Sequence, residues 1–123
     1  MTTTSSDLYR YAATILDWHD GDTAHADVDL GCHVHWRGSL RTAGYNAPEL
    51  TGATKAAGEA ATAYVGGLIP PGSVVYLDSL AFSAGSSAEE DHFGRMLAAV
   101  TLPDGRDLAA LMIGAGQAVP DPA

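Results

Sequence analysis

Polar and apolar residues alternate from Thr23 to Leu30: Thr23, His25, Asp27 and Asp29 share one phase, and Ala24, Ala26, Val28 and Leu30 the other. A period of two predicts a half-buried strand. The stretch before it, Tyr9 to Trp18, is rich in β-formers, and Asp20-Gly21 between the two is a turn signal. Together they predict a hairpin with Asp20, Gly21 and Asp22 at its tip. His33 to Tyr45 reads as a third strand bent at Gly38 or Gly44, stopped by Asn46-Ala47-Pro48 because proline cannot continue a ladder. From Thr51 to Leu68 the period changes. Ala53, Ala57, Ala60, Ala61, Tyr64, Val65 and Leu68 recur at helical spacing, with Thr51 or Thr54 as cap and Gly66-Gly67 and Pro70-Pro71 as the end. Ser73 to Leu80 and Phe93 to Leu102 return to strand character around a small, acidic loop, Ala84 to Asp91. After the Pro103-Asp104-Gly105 turn, Asp107 is placed to cap a second helix through Leu108, Leu111, Met112 and Ala115. Residues from Gly116 onward read as a loose end. The order β-β-β-α-β-β-α, with five short bent strands, predicts an α+β, mainly β fold: a five-stranded Greek-key OB-fold barrel with two helices.

At 123 residues the chain is one domain's worth. We expect residues 1–8 as a polar tail, 9–119 as the barrel domain and 120–123 as a second tail. Six Lys and Arg against 15 Asp and Glu give a formal charge of −9. Charge alone makes nucleic acid a poor partner, since polyanion affinity rests on Lys and Arg at phosphates. Clustered acids serve instead to hold a cation. The start, Met1 to Asp7, has neither a basic region nor an apolar run, and no stretch has the length of a membrane span, so an intracellular location and no membrane partner are expected. The single cysteine, Cys32, excludes an internal disulfide and is expected to be a small packed residue. His33 and His35 share a strand face, but Cys32 lies on the other and no fourth ligand is suitably spaced, which sets a zinc reading aside. Trp18, Trp36, Tyr11 and Tyr64 read as core or strand residues, and Arg37 as a solvated strand side chain.

Four fragments remain: Asp20-Gly21-Asp22-Thr23, Arg41, Asn46-Ala47-Pro48-Glu49 and Asp91-His92-Phe93-Gly94-Arg95. In this order and spacing they resemble the staphylococcal nuclease (thermonuclease-like) family, from about Ala12 to Val119. The resemblance implies a five-stranded barrel with a calcium-dependent phosphodiesterase site. It implies cleavage of single-stranded DNA or RNA that leaves 3′-phosphate ends; little sequence preference, no organic cofactor and, by default, a monomer are expected. By resemblance Asp22 is the first metal carboxylate. Asn46 stands where the family usually has a second metal aspartate, Ala47 supplies a backbone carbonyl, and Asp20 lies just outside the ligands. Glu49 holds and deprotonates the attacking water, and Arg41 and Arg95 clamp the phosphate. The chemistry agrees. Phosphodiester cleavage needs a cation, a base for water and donors for transition-state charge, and a guanidinium supplies paired donors that keep their protons.

The pattern departs from the family in three places. Asn46 offers an amide oxygen without charge, which implies weaker metal binding. His92-Phe93 stands where the family often has Lys-Tyr; Phe93 can still stack on a base beside His92. The family's third helix and the tyrosines before it have no counterpart, which implies few base contacts. A second reading from another class is a catalytically weak or inactive barrel that binds nucleic acid or protein. Asn46 and the acidic balance favour it, while the joint presence of Asp22, Arg41, Glu49 and Arg95 opposes it. A generic acidic barrel is the third.

Overall fold

The computed structural model describes residues 10–83 and 95–121. Five strands close into a barrel: β1 (Arg10–Asp20), β2 (Thr23–Gly31), β3 (Val34–Thr42), β5 (Val74–Ser83) and β6 (Arg95–Thr101), in the order β1-β2-β3-β6-β5 with β5 returning to β1. Every pair is antiparallel except β3 with β6. Helix α1 (Lys55–Leu68) lies between β3 and β5 in sequence, and helix α2 (Leu108–Gly114) follows β6. The fold is α+β, mainly β, and OB-fold-like.

The alternation read from β2 is realised. Ala24, Ala26 and Val28 are fully buried and face the barrel interior, and only Leu30 departs, at 41% exposure near the open end. Ala13 and Ile15 from β1, Leu40 from β3, Val75 and Leu77 from β5, and Met96, Ala98 and Val100 from β6 complete the inner layer. Ala61, Val65 and Ile69 cover it from α1, and Leu108 and Met112 from α2. The Trp18 indole N–H donates to the Ile69 carbonyl at 2.9 Å, so the half-buried ring packs on the core without stranding its polar atom.

Several expectations are corrected. The third strand does not run to Tyr45. It ends at Thr42, the chain turns at Gly44 (φ +95°), and Tyr45–Asn46 forms a separate short strand, β4. Its partner is β7 (Val119–Pro120), within the stretch expected to be loose. The first helix starts later, at Lys55, after a single 3₁₀ turn over Gly52–Thr54. Ala53, Ala57 and Ala60 are exposed; only Gly58, Ala61 and Val65 are buried, a stripe at spacings of three and four that lies to one side of the alanines. Neither threonine caps it. The Thr54 hydroxyl donates to the carbonyls of Glu49 (2.9 Å) and Thr51 (3.1 Å) instead of accepting from the helix. The helix also runs through Gly66-Gly67 and stops at Ile69, whose extended backbone (φ −133°, ψ 79°) is what a following proline requires. Asp107 does cap α2, accepting from the Ala110 N–H at 3.1 Å. Cys32 is exposed: with His33 it forms the β2–β3 turn, both at positive φ, so neither belongs to a strand. The acidic loop, together with His92 and Phe93, lies outside the described residues.

Candidate functional site

The hairpin tip between β1 and β2 is held closely against two neighbours. Gly21 has an ordinary φ, so its role is not a left-handed turn. A Cβ there would lie 2.6 Å from that of Ala47 and 3.0 Å from that of Ala61. Only glycine lets the tip meet both the loop after β4 and helix α1. The Asp20 carboxylate accepts the Asp22 N–H at 3.0 Å, the side-chain turn that Asp-Gly-Asp favours.

Asp22 then reaches the second segment. Its Oδ2 accepts the Ala47 N–H at 2.9 Å and lies 3.5 Å from Nη1 of Arg41, while its Oδ1 accepts from the Thr23 hydroxyl at 3.3 Å. The Asp22 and Arg41 side chains are only 14% and 22% exposed. Burial pushes the Asp22 carboxyl above the ordinary aspartate range. The Ala47 N–H and the Arg41 charge oppose this, and Asp20 adds to it. Two carboxylates on one tip, one of them held up, form a place where a cation would relieve charge.

The corner between β3 and β4 is built around Arg41. Nη1 donates to the carbonyls of Thr42 (2.6 Å) and Tyr45 (3.2 Å), and Nη2 donates to Oδ1 of Asn46 at 2.5 Å. Beneath it lies a buried hydroxyl pair. The Tyr45 hydroxyl donates to the Gly21 carbonyl at 2.8 Å and accepts from Thr42 Oγ1 at 2.7 Å, and Thr42 Oγ1 lies 3.0 Å from the Asp22 carbonyl. The Thr42 N–H also donates to that carbonyl at 3.0 Å. Both side chains are fully buried, and burial pushes the Tyr45 phenol up, so it stays protonated.

The structure thus brings Asp20, Asp22, Arg41, Asn46 and Ala47 together. Glu49 is two residues beyond Ala47, within about 7 Å of it by chain length. Its backbone is fixed by Thr54 and by Gly58, where a Cβ would lie 2.5 Å from the Glu49 carbonyl oxygen; its side chain is exposed. Arg95 opens β6. The parallel register pairs Ser39 with Arg95 and Arg41 with Leu97, which puts both arginines on the outer face, about 7 Å apart along the strand direction and one strand across. His92 and Phe93 belong to the segment left undescribed.

Among the described residues no three His, Cys, Asp or Glu side chains form a metal-holding group, so Asp20, Asp22 and Glu49 are not one. What the corner offers a cation is oxygen of mixed charge: two carboxylates, the Asn46 amide and backbone carbonyls. That set suits a hard ion such as calcium. The Asn46 oxygen is engaged by Arg41, a contact the spacing of the motif did not reveal. The hydroxyl pair was also missed; its one signal is a tyrosine beside the motif asparagine with a threonine three residues before it.

No protein-family model matches the chain, and no curated protein matches it.

Proposed function

We propose that this chain is a calcium-dependent phosphodiesterase that hydrolyses single-stranded DNA or RNA with little sequence preference and leaves 3′-phosphate ends. We further propose that its barrel is a Greek key of the staphylococcal nuclease type. One observation carries the reading: the Asp22 carboxylate meets Arg41 and the Asn46-Ala47 corner across 19 to 25 positions of sequence, through the 3.5 Å and 2.9 Å contacts above. The junction gathers two carboxylates, a guanidinium and an amide oxygen in one half-buried corner.

In this reading Asp22, the Asn46 amide oxygen and the Ala47 carbonyl would hold calcium, and Asp20 would add charge beside them. Bound calcium supplies Lewis-acid polarisation of a phosphoryl oxygen. Glu49 takes the proton of the attacking water. Arg95 and Arg41 donate to the non-bridging oxygens, Arg41 exchanging its bond to Asn46 for one to phosphate. Water oxygen bonds to phosphorus, the bond from phosphorus to the 5′ oxygen breaks, and the leaving 5′ oxygen takes up a proton from solvent while Glu49 returns its own to solvent. A second reading, a barrel that binds without cutting, is favoured by one observation: Arg41 Nη1 and Nη2 are already engaged within the chain, and with them the Asn46 oxygen.

Digestion of single-stranded DNA with calcium, with magnesium and with chelator separates the two. The nuclease reading expects calcium-dependent cutting with 3′-phosphate ends, reduced in Glu49→Ser by about 10²–10⁴-fold. Equal cutting by both proteins would remove Glu49 as base. Tight binding in chelator without cutting in calcium would favour the binding module.

A further inference from the structure

We propose that the outer face of the barrel beside this site carries a second phosphate subsite, formed by His25, Ser39 and Arg37, which takes the neighbouring phosphodiester of a single-stranded polynucleotide. The proposal rests on the nucleic-acid reading and extends it along the surface.

The argument begins with register. Asp17 pairs with His25, His25 with Ser39, and Ser39 with Arg95, so Asp, His, Ser and Arg form one row across β1, β2, β3 and β6. Along β3 the outward positions are Arg41, Ser39, Arg37 and His35. They are spaced about 6.6–6.8 Å apart, the same order as consecutive phosphates on an extended single strand. Three of the chain's six Lys and Arg residues, Arg37, Arg41 and Arg95, stand on this outer face of β3 and β6. Such a concentration is notable in a chain of formal charge −9.

The acids on the same face each have a hydrogen-bond partner. His25 Nδ1 lies 2.7 Å from Asp17 Oδ1; His35 Nδ1 lies 2.6 Å from Asp27 Oδ1, and Arg37 Nε donates to Asp27 Oδ2 at 2.7 Å. Asp29 Oδ1 accepts the Gly31 N–H. These contacts leave Nε2 of His25, both Nη groups of Arg37 and the Ser39 hydroxyl without partners among the described residues. All three side chains line one open cleft of about 320 Å³ together with Leu16, Asp17 and Gly38. A phosphate there meets a guanidinium fork, a hydroxyl and an imidazole nitrogen, with the Asp17 carboxylate on the far side of His25 bonded to its Nδ1.

The test is fluorescence anisotropy of labelled octathymidylate and dithymidylate in chelator, where nothing is cut, with wild type, Arg37→Gln, His25→Gln and Arg106→Gln. Arg106 sits on the distant 103–106 turn beside Asp104 and serves as the charge-matched control. We expect Arg37→Gln to weaken the octamer about three- to tenfold and to lower its salt slope by about 0.7, leaving the dimer and the Arg106→Gln protein unchanged. His25→Gln should also weaken the octamer and leave the dimer unchanged. Equal octamer affinity for wild type and Arg37→Gln, an equal loss in Arg106→Gln, or no octamer binding by wild type would overturn the subsite. Calcium-dependent cutting of the dimer is scored separately. If wild type cuts nothing while Arg37-dependent octamer binding persists, the subsite stands and the nuclease reading falls.

Discussion

Tyr45→Phe removes one oxygen atom from the device that joins the hairpin tip to the β3–β4 corner. The ring is fully buried, so the phenylalanine fills the same space and the packing is kept. Two bonds go: the one donated to the Gly21 carbonyl at 2.8 Å and the one accepted from Thr42 Oγ1 at 2.7 Å. Thr42 keeps the Asp22 carbonyl within 3.0 Å of its hydroxyl, so it is not stranded. Gly21 is buried and loses its hydroxyl donor, which leaves an acceptor in the interior at about 1–3 kcal/mol. Set against the easier burial of a phenyl ring, the net loss is about 2 kcal/mol. With a urea slope of about 1.5 kcal/mol per M for a domain of this size, the unfolding midpoint should fall by about 1 M with no change in slope. Thr42→Val should cost less, about 1 kcal/mol, because the Thr42 N–H still holds the Asp22 carbonyl at 3.0 Å. The double variant should lose less than the sum, since the two share a bond. The deletion should also act locally: amide exchange at Ala47, whose N–H depends on Asp22 being held in place, should quicken more than exchange in β2. A Tyr45→Phe protein as stable as wild type, with strictly additive behaviour in the double variant, would refute this account of the junction.

Other changes separate packing from propensity. Gly66→Ala points into open space on α1 and should stabilise the chain by about 0.5–1 kcal/mol in urea unfolding, whereas Gly58→Ala drives a Cβ to 2.5 Å from the Glu49 carbonyl oxygen and should destabilise it despite the better helix former. Asp107→Ala removes the α2 cap and should cost about 1 kcal/mol, while Asp107→Asn should recover most of it. Arg37 and His35 hold the Asp27 carboxyl below the ordinary aspartate range. A depressed folded value contributes stability above the unfolded value and loses it as pH falls through the folded one. Urea midpoints of wild type and Asp27→Asn should therefore differ near neutral pH and converge on acidification below the ordinary aspartate range.

The inward phase of β2, the Asp-Gly tip and the Asp107 cap were legible because each depends on local chemistry: a period of two, a turn dipeptide, one side chain facing one N–H. The errors fall where contacts distant in sequence decide. Ala53, Ala57 and Ala60 follow helical spacing as well as Ala61 does, but which side of α1 is covered is decided by what it packs against, along Gly58, Ala61 and Val65. The strand break at Gly44 depends on Val119–Pro120, which pairs with Tyr45–Asn46 from the far end of the chain. Gly21 looks like a turn glycine, yet its close approach to Ala47 and Ala61 is what requires it. Within the site, the motif residues Asp22, Arg41, Asn46 and Ala47 were identifiable by type and order. That Arg41 spends its donors on Asn46 and two carbonyls was not, since motif spacing carries no information about which partner a long side chain selects.

The most direct test is a calcium titration followed by backbone amide resonances of the isotope-labelled protein. The account predicts one saturable set of shifts centred on Asp20, Asp22, Asn46 and Ala47, abolished in Asp22→Asn. Absence of saturable shifts at the tip and corner, or shifts that survive in Asp22→Asn, would contradict it.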